Sequence, residues 1–463
     1  MLIDNISFID IKSPGAHVFS KFPIPRIGSV LLSTILAGRG YHARVFIEDA
    51  AEPDWPFIEK SDIVCISTIT STAVRAYAVA DRLRGLGIPV IMGGAHPSLM
   101  PEEALEHADY VVRGEGDIAL PELIDHLAKG GAPPGRIHGV SYRSPSGEKM
   151  HNTGRGFLED MDILPEPDFS LIHGWEPSNT YPISTSRGCP FGCRFCSVIQ
   201  LFGRKYRFKS VEATLREFCR VAAAYKATIF FVDDNFSADK QRAKAILRGM
   251  VERGVKHSWS AQVRTDVAKD PGLLRLMADS GCVTLYIGFE SINPKTLRLY
   301  DKKQNVDEIV QCIRIVKEHG IDIHGMFVLG ADTDSVDTIR RTAEFAVDLG
   351  LDTAQFMPLT PLPGTPVFSE MKDAGRLLHT DWSKYDMHHV VFSPAMMKPE
   401  TLQVETLKAM KKFYSWKYIL NHLVKFDFHY AMIGLYGRWA VRHLLGKVRA
   451  YFEDIGSASY SSM

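Results

Sequence analysis

Ser186-Arg-Gly-Cys189-Pro-Phe-Gly-Cys193-Arg-Phe-Cys196 stands where a β-rich run, Pro182 to Ser186, gives way to a loop. Three thiols fall within eight residues, and Gly188, Pro190 and Gly192 let so short a loop wrap a compact group without steric cost. Cysteine thiolates hold Fe–S clusters. Three of them leave one iron of a [4Fe–4S] cluster open to a small molecule, where a fourth would close it. Structural zinc takes four N/S ligands, usually as two separated pairs, and no second Cys pair or spaced His pair accompanies this string. The other cysteines, Cys65, Cys219, Cys282 and Cys312, are solitary within apolar strand or helix patterns and read as core residues.

Downstream of the loop, strand-like runs recur at Thr228 to Val232, Ser258 to Val263, Thr284 to Phe289, Ile323 to Leu329 and Thr353 to Met357. Helical text separates them, so with Pro182 to Ser186 they predict an α/β partial barrel of six strands, fewer than the eight of a complete one. Upstream, Ile6 to Ile11, Ala43 to Ile47, Asp62 to Thr68, Pro89 to Gly94 and Tyr110 to Arg113 alternate with helical segments and predict an open, doubly wound sheet. Between the two, Gly-Gly-Ala-Pro-Pro-Gly, Ser-Pro-Ser-Gly and Pro-Glu-Pro-Asp break every period. The expected order is therefore a Rossmann-like domain over 1–140, a linker over 141–178, the partial (β/α)6 barrel over 179–395 and a small helical segment over 396–463, its end frayed from Ser457 to Met463.

The 463 residues suffice for two or three domains, and 54 basic against 54 acidic residues leave no excess for general nucleic-acid binding. An apolar content of 45% with 23% charged residues describes a folded globular protein. Seven cysteines in such a length are too few for a secreted disulfide scaffold, and the start, Met1-Leu-Ile-Asp-Asn, lacks a signal-peptide build, which points to the reducing cytoplasm. No run spans a bilayer; Phe426 to Leu445 is interrupted by Asp427, His429, Arg438, Arg442 and His443.

The spacing of Cys189, Cys193 and Cys196, with Phe195 before the third, resembles the radical S-adenosylmethionine (SAM) enzymes. That resemblance implies a [4Fe–4S] cluster on the three cysteines whose open iron chelates SAM, reductive cleavage of the sulfonium bond to a 5′-deoxyadenosyl radical, and a reductant such as flavodoxin or ferredoxin. It places Phe231-Val-Asp233-Asp234-Asn235 at the contact with the methionine amino group, although the more usual Gly-Gly-Glu is replaced. It further implies roles for Gln262 and Arg264 at the end of the third barrel strand and for Glu290 and Ser291 at the fourth, toward carboxylate and ribose. Gly364, in Leu359-Thr-Pro-Leu-Pro-Gly364-Thr365, matches the adenine-side loop.

The front sheet resembles the cobalamin-binding module of one large radical SAM subgroup, through Thr68-Ile-Thr-Ser71-Thr72, Gly93-Gly94-Ala-His96 and Gly114-Glu115-Gly116. Small residues at strand ends let a bulky planar ligand approach the backbone. The Asp-x-His-x-x-Gly string that supplies a lower ligand in other cobalamin enzymes is absent, so Ser67, Thr68 or water is expected near that face and His96 is expected to stabilise its loop; without cobalamin the sheet would be a scaffold or a nucleotide site. The leading expectation is methylation of an unactivated carbon in a small-molecule or lipid substrate. The alternatives are an oxidative cyclase or rearrangement of the anaerobic Mg-protoporphyrin ester type and, outside enzymes, an electron- or cofactor-carrying Fe–S protein. His388 and His389, being adjacent, suit a cap better than a metal. The bases and aromatics from Lys408 onward, through Arg438, Arg442, Lys447 and Arg449, fit either a solvated face or peripheral contact with an anionic membrane.

Overall fold

The computed structural model describes residues 3–15, 24–130, 133–176 and 180–460. The chain divides into two compact units. One runs from the first strand through Pro190 and includes Ser197–Val221; the other comprises Phe191–Cys196 and the chain from Ala222 onward.

In the first unit, β1 (Asn5–Asp10), β2 (His42–Ile47), β3 (Ile63–Ser67), β4 (Val90–Gly93) and β5 (Tyr110–Val112) lie parallel in the order β2-β1-β3-β4-β5. Both faces are covered, so the strands read as apolar runs: Ile6, Phe8, Ile9, Val64 and Ile66 are buried. The order reverses beside β1, and ligands of such sheets seat beyond the carboxyl ends of the strands at that reversal.

Two strands expected as linker belong to this sheet. β6 (Val140–Arg143) pairs antiparallel with β5, and β7 (Lys149–His151) antiparallel with β6, making seven strands. The intervening Ser-Pro-Ser-Gly is a hairpin turn, with Gly147 N–H donating to Ser144 O at 2.8 Å. The strands are too short and too polar to show a period. The hairpin's outer edge is charged: Lys149 reaches Glu106 and donates to Glu102 O (2.9 Å), and His151 Nε2 lies 2.5 Å from Glu102 Oε1.

The second sheet has β11 (Thr228–Phe231), β12 (Trp259–Val263), β13 (Cys282–Glu290), β14 (Asp322–Leu329) and β15 (Thr353–Pro358) in the order β15-β14-β13-β12-β11-β8, where β8 is Thr180–Ile183. The pairings from β11 to β15 are parallel. Helix starts follow strand ends and are capped in kind: Asp239 accepts from Arg242 N, Asp270 from Leu273 N ahead of Pro271, and Asn305 and Glu308 form a capping box. Alternation separates two sheet faces. Ile229, Phe231, Ala261, Leu285, Ile287 and Phe327 are buried, whereas the residues between them on the other face stay half-exposed.

Pro182 to Ser186 was expected as one strand. It breaks after Ile183, and β9 (Ser186–Arg187) pairs antiparallel with β10 (Arg207–Phe208). The small β9–β10 ladder is held from the first unit's own helix Gly116–Ala128. Arg187 makes a bidentate pair with Asp117 at 2.5 and 3.0 Å, and Arg207 Nη2 lies 2.8 Å from Glu115 Oε1. Burial works against the charge on Arg187, but Asp117 and Glu115 outweigh it and hold the guanidinium pKa above its ordinary value. The carboxyl-terminal helices are Pro399–Phe413, Trp416–Val424, Phe428–Leu445 and Val448–Tyr460. The last continues through Ser457 to Tyr460, where fraying was expected; Ser461, Ser462 and Met463 lie outside the described residues.

Removing one partner of a buried ion pair strands the other charge. Asp117→Ala should therefore lower unfolding free energy by about 3 kcal/mol, read as a lower urea midpoint at unchanged slope, while Asp125→Ala on the exposed side of the same helix should shift it by about 0.5 kcal/mol or less.

Candidate active site

Gly188 turns the chain from β9 into the cysteine loop with φ +84°, and a side chain there would run into the carbonyl oxygens of Lys205 and Phe202. Only glycine combines that backbone with that clearance. Cys189 follows, partly exposed, its N–H donating to Gly203 O at 3.3 Å.

In the second unit, Cys193 is buried and Cys196 partly exposed, with Cys196 N–H donating to Cys193 O at 3.1 Å. The loop is fastened by Arg194 N–H donating to Tyr300 O (3.2 Å) and by Phe195 set edge-on to the buried Tyr300 ring at 4.9 Å. Phe195 thus positions the loop. Arg264, leaving the end of β12, lays its guanidinium over Phe191 at 3.7 Å and brings Nη1 to 3.9 Å from Cys193 Sγ. Its Nη2 donates to Lys302 O at 2.5 Å. A fixed cation beside a thiol favours the thiolate that binds iron.

Glu290 ends β13 beyond a register shift, at φ +64°, and its carboxylate accepts from buried Lys302 Nζ at 2.6 Å. A side chain at Gly288 would collide with that pair. Ser291 is buried with its hydroxyl accepting from Asn293 N–H at 3.0 Å, so it shapes the turn. Gln262 is half-exposed on β12, and Gly364, φ +79°, lies past β15 just before the Thr365-capped helix. Asp233 is buried after β11. Asp234 is exposed as a residue, while burial about its carboxyl, followed by the charge of Asp233, pushes that group up to about 7. Asp233, Gln262, Arg264, Glu290 and Gly364 thus share the carboxyl edge of one parallel sheet.

Among the described residues, no three His, Cys, Asp or Glu side chains gather as a single-ion site, and none of the seven cysteines is disulfide-bonded. Mononuclear zinc would need its ligands close around one point. Three thiols within eight residues, one of them beside a guanidinium, are a donor set that could hold an Fe–S cluster.

At the carboxyl edge of the first sheet, Gly94 has φ +94°, and an added Cβ would lie 2.6 Å from Thr68 O. Gly93 packs against β5 with Val112 O at 3.6 Å from such an atom, and over Gly114, φ +73°, nothing lies within 4 Å. At Gly94 the neighbouring backbone leaves no room for a larger residue, at Gly93 a Cβ would already touch β5, and at Gly114 the space is open, so the edge carries no bulky side chain at three points and could admit a broad planar ligand such as cobalamin. Thr68 Oγ1 is spent on Thr72 Oγ1 (2.6 Å), and Ser71 is buried in the same turn. His96 is fully buried, Nδ1 3.4 Å from Thr70 Oγ1 and Nε2 3.4 Å from Glu103 Oε1, the loop role expected of it. Glu115 is turned to Arg207 and Arg187, and Gly116 opens its helix against Leu32.

Sequence reasoning missed Arg187, Asp117, Arg207 and Lys302. Lys302 lies in Asp301-Lys302-Lys303, text that reads as a solvated surface, and nothing local marks it as buried. His389 Nδ1–H donates to Asp386 Oδ2 at 2.9 Å, and Asp386 Oδ1 accepts from both the His388 and His389 backbone N–H groups.

The Radical SAM superfamily profile matches residues 183–346, and the B12 binding domain profile matches residues 20–124. Bacteriochlorophyllide d C-12(1)-methyltransferase of Chlorobaculum tepidum is 31% identical over 370 residues, 78% of this chain and 76% of its own. Anaerobic magnesium-protoporphyrin IX monomethyl ester cyclase of Rubrivivax gelatinosus is 24% identical over 97% of this chain and 83% of its own. Among solved structures, the radical SAM methyltransferase TsrM from Kitasatospora setae superposes with a TM-score of 0.69 at 18% identity, covering 80% of this chain and 76% of that one, and so shares the fold. The strand-end glycines of the first half of the sequence and the three-cysteine segment that follows them in the chain both fall within matched regions, and the chain belongs to the B12-binding group of the radical SAM enzymes.

Proposed function

We propose that the protein methylates an unactivated carbon of a largely apolar small molecule, in a reaction dependent on SAM, a [4Fe–4S] cluster and cobalamin. The observation that carries this reading is that one chain holds both a three-thiol loop and a sheet edge stripped to glycine at Gly93, Gly94 and Gly114. Bound together, these groups supply an electron to cleave the sulfonium, a radical to take hydrogen from carbon, and a methyl group. A flavodoxin- or ferredoxin-like reductant would feed the cluster.

The chain's own residues bind and orient. Cys189, Cys193 and Cys196 hold the cluster, and Arg264 sets positive charge beside Cys193. Asp234, and Asp233 behind it, offer carboxylate to the methionine ammonium; Gln262, Glu290 and Gly364 border the rest of SAM. The half-exposed face of the second sheet carries Phe230, Gln262, Tyr286, Met326, Gln355 and Met357. Burial lowers His324, beside them on β14, to about 4, and it stays neutral on Thr353 Oγ1 at 2.8 Å. Burial also raises the Tyr286 hydroxyl. A wall of this kind excludes water and holds an apolar substrate but moves no proton near neutral pH, which suits chemistry done by cofactors.

A second reading is oxidative cyclisation, favoured by the 97% of the chain that aligns with the cyclase relative. The products separate the two. Anaerobic turnover with methyl-labelled SAM should put label on substrate carbon; deoxyadenosine formed with an unlabelled, oxidised product would support the cyclase instead. Gly188→Ala should bind cobalamin as the parent does yet reconstitute with little iron, measured by cluster absorbance and metal analysis.

The Asp234 carboxyl is neutral below its raised pKa and charged above it, so attraction to the ammonium is lost as pH falls. SAM affinity should tighten between pH 6 and 8, by up to about tenfold per unit below 7, and Asp234→Asn should flatten that profile. A profile unchanged by the substitution would remove Asp234 from the SAM site.

A further inference from the structure

The helices Trp416–Val424 and Phe428–Leu445, in the second unit, use one face each for their own packing. Ile419 is buried on the first; the second packs through Ala431, Gly434, Gly437, Ala440 and Val441, with Gly434 against Ile419 and Tyr418 and Gly437 against Tyr414. The inner faces are thereby satisfied. Opposite them runs a second apolar stripe. On the first helix it is Trp416, Leu420 and Val424, four residues apart and all exposed, Val424 by 78%. On the second it is Phe428, Met432 and Trp439, again exposed and at helical spacing. Between the helices Phe426 sits at the tip, 80% exposed and at φ +59°, a backbone that bulky side chains rarely take.

Folded proteins seldom leave so continuous an apolar surface to water unless something covers it. The charge around it selects the cover. From Trp416 to Lys447 there are five basic residues, Lys417, Lys425, Arg438, Arg442 and Lys447, against the single acid Asp427, in a chain that is neutral as a whole. Asp427 is occupied, capping Tyr430 N–H and lying 3.1 Å from His422 Nδ1. A second copy docked face to face would bring two such basic sets together. An anionic bilayer neutralises them, and aromatic and aliphatic side chains rimmed by lysine and arginine suit the headgroup boundary. No helix among the described residues is long and apolar enough to cross a membrane, so the contact is peripheral.

We infer that this helical pair is a docking surface for anionic lipid bilayers, with Phe426 and Phe428 entering the acyl boundary and Lys425, Arg442 and Lys447 on the headgroups. The inference stands apart from the reaction assigned above, because none of these residues belongs to the cysteine loop or the strand ends.

The test is flotation of the full chain with vesicles of phosphatidylcholine alone or with phosphatidylglycerol, at low and high salt. The expected result is flotation with the anionic vesicles only, falling several-fold as salt screens the basic rim. Phe426→Ser with Phe428→Ser should reduce partitioning by about tenfold or more, with circular dichroism and cluster absorbance unchanged. Lys425→Glu with Lys447→Glu leaves the apolar stripe intact and should abolish the preference for anionic lipid. Equal flotation with both vesicles, none with either, or indifference to both pairs of substitutions would overturn the inference. So would a lipid-free dimer in sedimentation that the Phe426→Ser, Phe428→Ser protein no longer forms, since the stripe would then belong to a second copy.

Discussion

Everything about the cysteine loop begins one residue before it, where Gly188 takes a left-handed backbone between the carbonyls of Lys205 and Phe202. A Cβ at that point would force either the loop or the β9–β10 ladder to move. The ladder itself is held by charge: Arg207 is buried and Arg187 half-buried against Asp117 and Glu115, and unpairing either charge with little water at hand is costly. The turn that leads into Cys189 thus starts from a largely desolvated ion-pair network. Preorganisation of this kind is what a bulky inorganic group needs, since cysteine side chains alone are short and leave little tolerance in where the backbone must stand.

The second unit repeats the same economy with different residues. Arg264 serves three neighbours at once, the ring of Phe191, the sulfur of Cys193 and the carbonyl of Lys302, while Lys302 in turn fixes Glu290. Bonded in this way, these charges need little reorganisation when a ligand arrives. Asp234 differs in keeping contact with solvent and in having, among the described residues, no basic partner beside its carboxylate to hold it charged.

The parts legible in the sequence were those governed by period and by rare residue types. The six strands of the second sheet announced themselves because burial on one face imposes alternation, and the cysteine spacing because few other chemistries need three thiols so close. The β6–β7 hairpin was read as linker, since seven short, mixed residues carry no usable period and Ser144-Pro-Ser-Gly147 turns look the same inside a hairpin as outside one. Glu115 was assigned to a ligand because it stands in a glycine-rich strand end; its partners, Arg187 and Arg207, lie 72 and 92 residues away, separations that no local pattern reports. Lys302 was invisible for the same reason, and the Ser291 hydroxyl, read toward a ligand, also accepts from Asn293 N–H within its own turn. Spacing along the chain locates donors well but says little about which of them other side chains have already claimed.

The hairpin that was mistaken for a connection also finishes the first sheet. An edge strand with open N–H and C=O groups invites another chain to add to it. Here the last strand is only three residues long, and its lysine and histidine are drawn into contact with glutamates on the neighbouring helix. The first sheet therefore carries its own guard against strand-by-strand growth, built from the stretch that looked least like structure.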